Sequence, residues 1–272
     1  MRKEIIYSKN AAYQKFEVLK TNRQKRHRYG EFFVEGVRNI NYAVENGWAF
    51  SAFLFDADRE LSGWAEEKLA TVPCEVHYAL KNGLLAELSG KADTSELLAV
   101  VKMRNTPLTA LPRPKTPLYI LFDRPSNRGN LGTIIRSADA FGADALITTG
   151  HAVDLYDPEV VTSTMGSFFS VPTFHAGDNG SLFALIEDLR QEYPGFQVVG
   201  TTAHNETPLK DVDFSRPTML LIGNETDGLS RAFKEMSDVL ATIPMAETSA
   251  ASSFNVACAA TVMLYEARRQ LS

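Results

Sequence analysis

Leu118-Tyr119-Ile120-Leu121-Phe122, followed by Asn127-Arg128-Gly129-Asn130-Leu131-Gly132-Thr133-Ile134-Ile135-Arg136 and running on to Phe141-Gly142, decides how this chain is read. Five apolar residues in a row make a buried strand. A glycine-bearing loop comes next, then an apolar stripe of helical period over 131–141. Strand, loop and helix in that order open a βαβ unit, and parallel sheets bind ligands at the carboxyl ends of their strands. Gly129 and Gly132 are expected to let the backbone turn tightly before the helix. Ile134, Ala138 and Phe141 form its core stripe. Arg136 lies about 200° around from Ile134 by the helical period, away from that core. That place suits a solvated arginine as well as one facing a ligand or a subunit interface.

The same rhythm extends in both directions. Downstream, strands are predicted at 145–147, 196–199, 218–222 and 242–244. Helices are predicted at 183–192 and 254–271, the last with Val256, Ala260, Met263, Ala267 and Leu271 on one stripe. Upstream, helices are predicted at 10–22, 37–46, 59–70 and 82–88, and strands at 32–34, 49–55, 76–78 and 97–101. Alternating strands and helices imply an α/β fold with mostly parallel sheets. Between the halves, Pro107, Pro112, Pro114 and Pro117 read as a stiff linker. The expected domains are therefore 1–103 and 117–272, joined by 104–116.

Composition narrows the class. The chain has 272 residues, 44 % apolar and 22 % charged, which suits one large or two ordinary globular domains. Cys74 and Cys258 are too few and too far apart for a thiolate metal cluster, and they suit a reduced compartment. Met1-Arg2-Lys3-Glu4 leads into no long apolar run, and no apolar stretch approaches ~20 residues, so a soluble cytoplasmic protein is expected. No two of the 17 glycines stand one residue apart, which removes the G-x-G-x-x-G fingerprint and weakens any nicotinamide-dependent oxidoreductase. Gly90-Lys91-Ala92 is not a Walker A loop. His27, His77, His151, His175 and His204 show no metal-binding spacing, and no G-x-S-x-G elbow occurs.

Charge is uneven. Residues 1–40 carry ten Lys or Arg against four acids, a balance of +6, so the remainder carries −11 of the net −5. Arg23-Gln24-Lys25-Arg26-His27-Arg28 is the densest piece. It suits a solvated helix face or loop, or a contact with nucleic-acid phosphates.

Two further loops carry chemistry-like signals. Ile222-Gly223-Asn224-Glu225-Thr226-Asp227-Gly228-Leu229-Ser230 places a carboxylate in a glycine turn after a strand. Ser230 is a candidate helix cap there, and the backbone at Gly223 and Gly228 is a candidate ligand contact. Ile243-Pro244-Met245 leads through a loop rich in Ser, Thr and Ala to Ser253-Phe254-Asn255-Val256. There Ser252 or Ser253 is a candidate cap, and the loop a candidate polar wall for a ligand.

Taken together and in order, these segments resemble the SpoU-type, TrmH-like RNA ribose 2′-O-methyltransferases of the SPOUT superfamily. Residues 129–136 with Phe141-Gly142 match the first motif, 221–225 with Gly228-Leu229-Ser230 the second, and 243–245 with 253–256 and Tyr265-Glu266 the third. Tyr156-Asp157-Pro158 and Met165-Gly166-Ser167 match the segment between. Phe32-Phe33-Val34-Glu35-Gly36, the basic stretch before it and Leu98-Ala99-Val100-Val101 resemble the ribosomal-protein-like RNA-binding domain found beside many of these enzymes.

The resemblance implies an α/β SPOUT domain with a deep trefoil knot, preceded by a smaller α/β RNA-binding domain. It implies S-adenosyl-L-methionine as cofactor, held at Gly223, Asn224, Gly228, Ile243, Met245 and Phe254. Arg136 would be the catalytic residue, favoured for positioning and electrostatics because arginine resists deprotonation. Asn130, Glu225, Ser253 and Asn255 would orient it, the hydroxyl and the cofactor. Arg23, Lys25, Arg26 and Arg28 would contact RNA, ribosomal rather than transfer RNA. A homodimer with its active site between subunits is implied, with no metal and no membrane partner. A transfer-RNA methyltransferase and an RNA-binding protein without transfer activity are the other readings. The chain departs from the family pattern at Asn127-Arg128, where Asp-Pro is common. Thr162 stands where a basic residue is frequent, Phe254 stands in place of leucine, and the loop over 245–253 is longer and lacks glycine.

Overall fold

The computed structural model describes residues 2–271 except Ala92 and Asn205. Met1 and Ser272, the ends of the expected domains, and Ala92 of the Gly90-Lys91-Ala92 reading lie outside the described residues. The chain divides into two compact units: Met1–Asn105 with Asp154–Ser170, and Thr106–Val153 with Val171–Ser272.

The first unit runs β1 (Arg2–Ile6), α1 (Ala11–Thr21), α2 (Arg23–Tyr29), β2 (Glu31–Glu35), α3 (Val37–Glu45), β3 (Phe50–Asp56), α4 (Gly63–Thr71), β4 (Val76–Leu80), α5 (Leu84–Ser89) and β5 (Leu97–Lys102). Its sheet has the order β1-β4-β3-β5-β2. The sheet is mixed, which corrects the expectation of mostly parallel pairing. β1 and β3 run parallel to β4, whereas β5 is antiparallel to both β3 and β2. Tyr13, Phe16 and Leu19 put one face of α1 against Phe33, Leu54 and Val100 of the sheet. Asn10 starts α1 and Asn22 starts α2, each accepting the amide three residues on.

The second unit begins inside the proline-rich stretch. Leu111 is buried with Tyr119, Leu121 and Phe196, and the Tyr119 hydroxyl donates to the Pro112 carbonyl. Within the expected 104–116 linker, Leu111 thus sits in the core of the second unit and Leu108 packs against it, while most of the remaining residues are exposed. β6 (Leu118–Phe122), α6 (Arg128–Phe141) and β7 (Ala145–Thr149) follow. Next comes the Asp154–Ser170 segment with α7 (Pro158–Ser163), then β8 (Thr173–Ala176), α8 (Asn179–Glu192), β9 (Gln197–Thr201), β10 (Thr207–Pro208), β11 (Thr218–Ile222), α9 (Arg231–Met236), β12 (Val239–Thr242) and α10 (Val256–Leu271). The sheet order is β10-β12-β9-β11-β6-β7-β8, and every pair is parallel. β6, β7 and β11 are buried along their whole length, as parallel strands covered on both faces must be.

Two local expectations are corrected here. The strand expected at 242–244 lies at Val239–Thr242 and ends before Pro244, which has no amide hydrogen for a ladder. α6 starts at Arg128, so Gly129 and Gly132 lie within the helix and make no turn before it. Asn127 caps that helix through its side-chain oxygen, which accepts the Asn130 amide. An Asp at this place would do the same, so the departure from Asp-Pro keeps the helix start intact.

In the first unit, Asp154–Ser170 packs by aromatic contacts and buried charge. The Tyr156 ring lies 4.9 Å from that of Phe32, Phe168 lies 5.7 Å from Phe32, and Trp48 Nε1 donates to the Phe169 carbonyl at 3.1 Å. Gly166, at φ +105°, faces the Tyr42 ring so closely that a Cβ would meet it at 2.6 Å. No described helix is long and apolar enough to cross a membrane.

Candidate functional site

At the carboxyl edge of the parallel sheet, three turns converge. The turn after β11 is closed by paired backbone hydrogen bonds between Asn224 and Gly228, both 3.0 Å. Gly223 lies so tightly under this turn that a Cβ would meet the Leu229 nitrogen at 2.4 Å. Gly228 takes φ +68°, the left-handed region that glycine occupies without strain. These two glycines are needed for the shape of the turn itself.

Glu225 in this turn is held by four donors. Ser126 gives its amide (3.0 Å) and hydroxyl (2.7 Å), Asn127 its amide (3.0 Å) and Asn130 its Nδ2 (3.4 Å). Burial pushes its carboxyl up, and the Ser126 and Asn127 hydrogen bonds outweigh that, so it ionises below the ordinary glutamate range. Asn130 in turn accepts Asn255 Nδ2 at 3.1 Å. Asn255 Oδ1 accepts the amides of Ala257 (2.9 Å) and Cys258 (3.2 Å), so Asn255 caps α10, and not Ser252 or Ser253. One hydrogen-bonded chain, Glu225–Asn130–Asn255, thus ties together the starts of α6 and α10 and the turn after β11.

A cavity of about 300 Å³ opens beside this chain, of a size that suits a small organic ligand. The six residues expected to hold a cofactor, Gly223, Asn224, Gly228, Ile243, Met245 and Phe254, all line it, and so do Glu225 and Ser253. Asn130, Asn255 and Arg136 are not among its lining residues. Arg136 is exposed on α6 and makes no hydrogen bond or ion pair with any described residue. The cavity is apolar at Leu229, Ile243 and Met263 and polar at Thr201, Thr202 and Lys234.

Sequence reasoning missed several of these. Thr201, Thr202, His204 and Lys234 line the cavity, and the first of them ends β9, the place where a parallel strand hands over to a ligand site. It also missed the brace beneath the turn. Asp123 is 1 % exposed and accepts Arg124 Nε (3.1 Å), Thr149 Oγ1 (2.9 Å) and the Ser230 amide (2.9 Å). Arg124, at φ +50°, also reaches the Gly228 carbonyl at 3.3 Å, and Asn224 Nδ2 donates to the Arg124 carbonyl at 2.7 Å. Ser230 stands at the start of α9, but its side chain makes no capping bond.

The basic residues of α2 divide. Arg23 and Arg28 are exposed and Lys25 is half-buried. Arg26 is 1 % exposed, which corrects its assignment to RNA. Its Nε donates to Asp154 at 2.8 Å, its Nη2 to Asp157 at 3.2 Å, and its Nη1 to the Leu19 and Lys20 carbonyls, both 3.1 Å. A guanidinium this enclosed is an internal anchor. Thr162 is exposed on α7. Among the described residues no three His, Cys, Asp or Glu side chains gather to hold a metal.

Comparison with known proteins identifies the family and the fold. The SpoU rRNA Methylase family matches residues 117–265, and the SpoU L30e-like domain matches residues 10–99. A 23S rRNA (uridine(2479)-2′-O)-methyltransferase of Streptomyces viridochromogenes is 47 % identical over 97 % of this chain and 92 % of its own length. A 23S rRNA (guanosine(2553)-2′-O)-methyltransferase of Bacillus subtilis is 26 % identical over 98 % of this chain and 99 % of its own. The crystal structure of the SpoU methyltransferase AviRb from Streptomyces viridochromogenes in complex with AdoMet superposes with a TM-score of 0.90 at 47 % identity, covering 96 % of this chain and 98 % of that one.

Proposed function

The chain belongs to the SpoU rRNA Methylase family, and from that premise we propose that it transfers a methyl group from S-adenosylmethionine to a ribose 2′-hydroxyl of RNA, with 23S ribosomal RNA as the substrate class. The observation that carries this is the Glu225–Asn130–Asn255 chain, which joins the three motif turns beside a 300 Å³ cavity. The cavity suits the cofactor chemically. Ile243, Leu229 and Met263 offer apolar contact for an adenosyl group, and charged side chains stand in the same lining for its amino-acid end. Gly223, Asn224, Gly228, Ile243, Met245 and Phe254 would hold it. When bound, S-adenosylmethionine supplies a methyl group already activated on a sulfonium.

The rest falls to the chain. A ribose hydroxyl is a weak nucleophile, so it must be placed for attack, and its proton passes to solvent water as the new oxygen–carbon bond forms. Arg136 binds the RNA phosphate next to the target ribose and orients the hydroxyl through charge, since a guanidinium stays protonated. Glu225 is saturated by donors and held ionised, so it fixes the turn and takes no proton. Asn130 and Asn255 orient the starts of α6 and α10, and Ser253 stands in the cavity lining to meet the hydroxyl. Among the described residues Arg136 has no partner, and it stands on an exposed helix face. Phe254, Val262 and Tyr265 are exposed at or on the neighbouring α10, which supports an active site completed by a second copy of the chain. Arg23, Lys25 and Arg28 supply RNA contacts from the first unit, and the cytoplasm is the place of action. The trefoil knot belongs to the same reading.

Ribose-methylation mapping of total RNA, with and without the gene, tests this. One 23S site should vanish, return with the parent gene and stay absent with Arg136→Ala. A site restored in full by Arg136→Ala overturns the role of that arginine. A lost transfer-RNA site would move the substrate class.

A further inference from the structure

Two charged side chains in the cavity lining are not consumed by the fold. Lys234 on α9 is exposed and makes no hydrogen bond or ion pair with any described residue. Asp227, in the turn after β11, has a side chain 70 % exposed. Its nearest cation is Arg124 at 3.9 Å, and that guanidinium is already engaged by both oxygens of Asp123 at 3.1 Å. The other carboxylate of the lining, Glu225, is saturated by Ser126, Asn127 and Asn130. One open cation and one open anion therefore share a single cavity of about 300 Å³.

A ligand that engages both residues carries a carboxylate and an ammonium. An α-amino acid does so, whereas an RNA phosphate offers only negative charge and would leave Asp227 opposed. The rest of the lining, Leu229, Ile243, Met245 and Met263, suits the apolar and aromatic parts of an adenosyl thioether. We propose that Lys234 pairs with the carboxylate and Asp227 with the ammonium of the amino-acid end of S-adenosylmethionine. The two residues then select cofactor and product over adenosyl thioethers that lack that end. This rests on the reading of the cavity as the cofactor site. Lys234 lies on α9 and Asp227 in the turn after β11, so the pair also links α9 to the Asn224–Gly228 turn when the ligand is bound.

Calorimetric titration of the full chain tests it, with S-adenosylmethionine, S-adenosylhomocysteine and 5′-methylthioadenosine as probes. The last shares the adenosyl thioether and lacks the amino acid. The parent should bind S-adenosylhomocysteine more tightly than methylthioadenosine. Lys234→Met and Asp227→Asn should each weaken S-adenosylhomocysteine about 10-fold, the order expected for one charge-assisted hydrogen bond, and leave methylthioadenosine unchanged. Equal weakening of both probes, or of neither, overturns the proposal. So does a Lys234→Met protein that keeps S-adenosylhomocysteine affinity and loses RNA affinity, which would give Lys234 to the nucleic acid. A parent protein that binds none of the three removes the cofactor reading itself. Lys234 and Asp227 are exposed, so the variants fold, and an unchanged thermal midpoint checks that.

Discussion

On α2, in the first unit, Arg26 is 1 % exposed and donates to two carboxylates and two carbonyls. On α6, in the second unit, Arg136 is exposed and donates to nothing among the described residues. A guanidinium taken out of water must have its donors satisfied, and once they are satisfied it is unavailable to a ligand. One left on a surface with five free donors has gained nothing for the fold and keeps its capacity for phosphate. The two helices thus separate stability from function, and the separation can be measured.

The largest effect belongs to Arg136. Arg136→Ala should lower single-turnover methyl transfer about 10³-fold, the order seen when one preorganised donor is removed from an active site, with the urea midpoint unmoved. A midpoint that falls with activity would make Arg136 structural and erase the contrast. Arg26→Met should do the reverse. It leaves Asp154, itself 4 % exposed, without its main cation, and should cost about 3–5 kcal/mol in urea unfolding. Adding Asp154→Leu to Arg26→Met should recover part of that loss, because the stranded charge is then gone. A single Arg26→Met as stable as the parent would show that the anchor holds nothing.

The same contrast explains what could be read from the sequence. β6, α6 and β11 follow from local apolar runs and helical spacing, and the three motif turns lie at the ends of such runs, so the six residues expected to hold the cofactor come together in one cavity lining. The burial of Arg26 was not legible. Its partner Asp154 stands 128 residues away, and a local window of Arg23 to Arg28 resembles any basic surface. β1 escaped for a related reason: Arg2-Lys3-Glu4-Ile5-Ile6 lacks strand periodicity, and only pairing with β4 makes it a strand. Asp123 and Arg124 follow directly on the apolar run 118–122, with no local mark of what they hold. Their role as a brace under the Gly228 turn depends on Thr149 and Ser230, which are distant in sequence.

Glu225 offers the smallest and most specific test, because it lies between the two arginines in character: a partly buried charge that is fully hydrogen-bonded beside the cavity. Its carboxyl ionises below the ordinary glutamate value of 4.5 in the folded chain, since the Ser126 and Asn127 donors outweigh the cost of burial. A depressed folded value means that the ionised form stabilises the native state above the unfolded value, and that this contribution fades as pH falls through the folded one. The parent should therefore be more stable than Glu225→Gln at pH 7, and the gap between their urea midpoints should close on acidification below pH 4.5. A gap that stays constant with pH would mean that the side chain acts through shape alone. A gap that closes, with cofactor affinity in Glu225→Gln falling at pH 7, would tie the charge of Glu225 to the turn that lines the cavity. The structure predicts the second outcome, because the donors holding Glu225 are the residues that start α6.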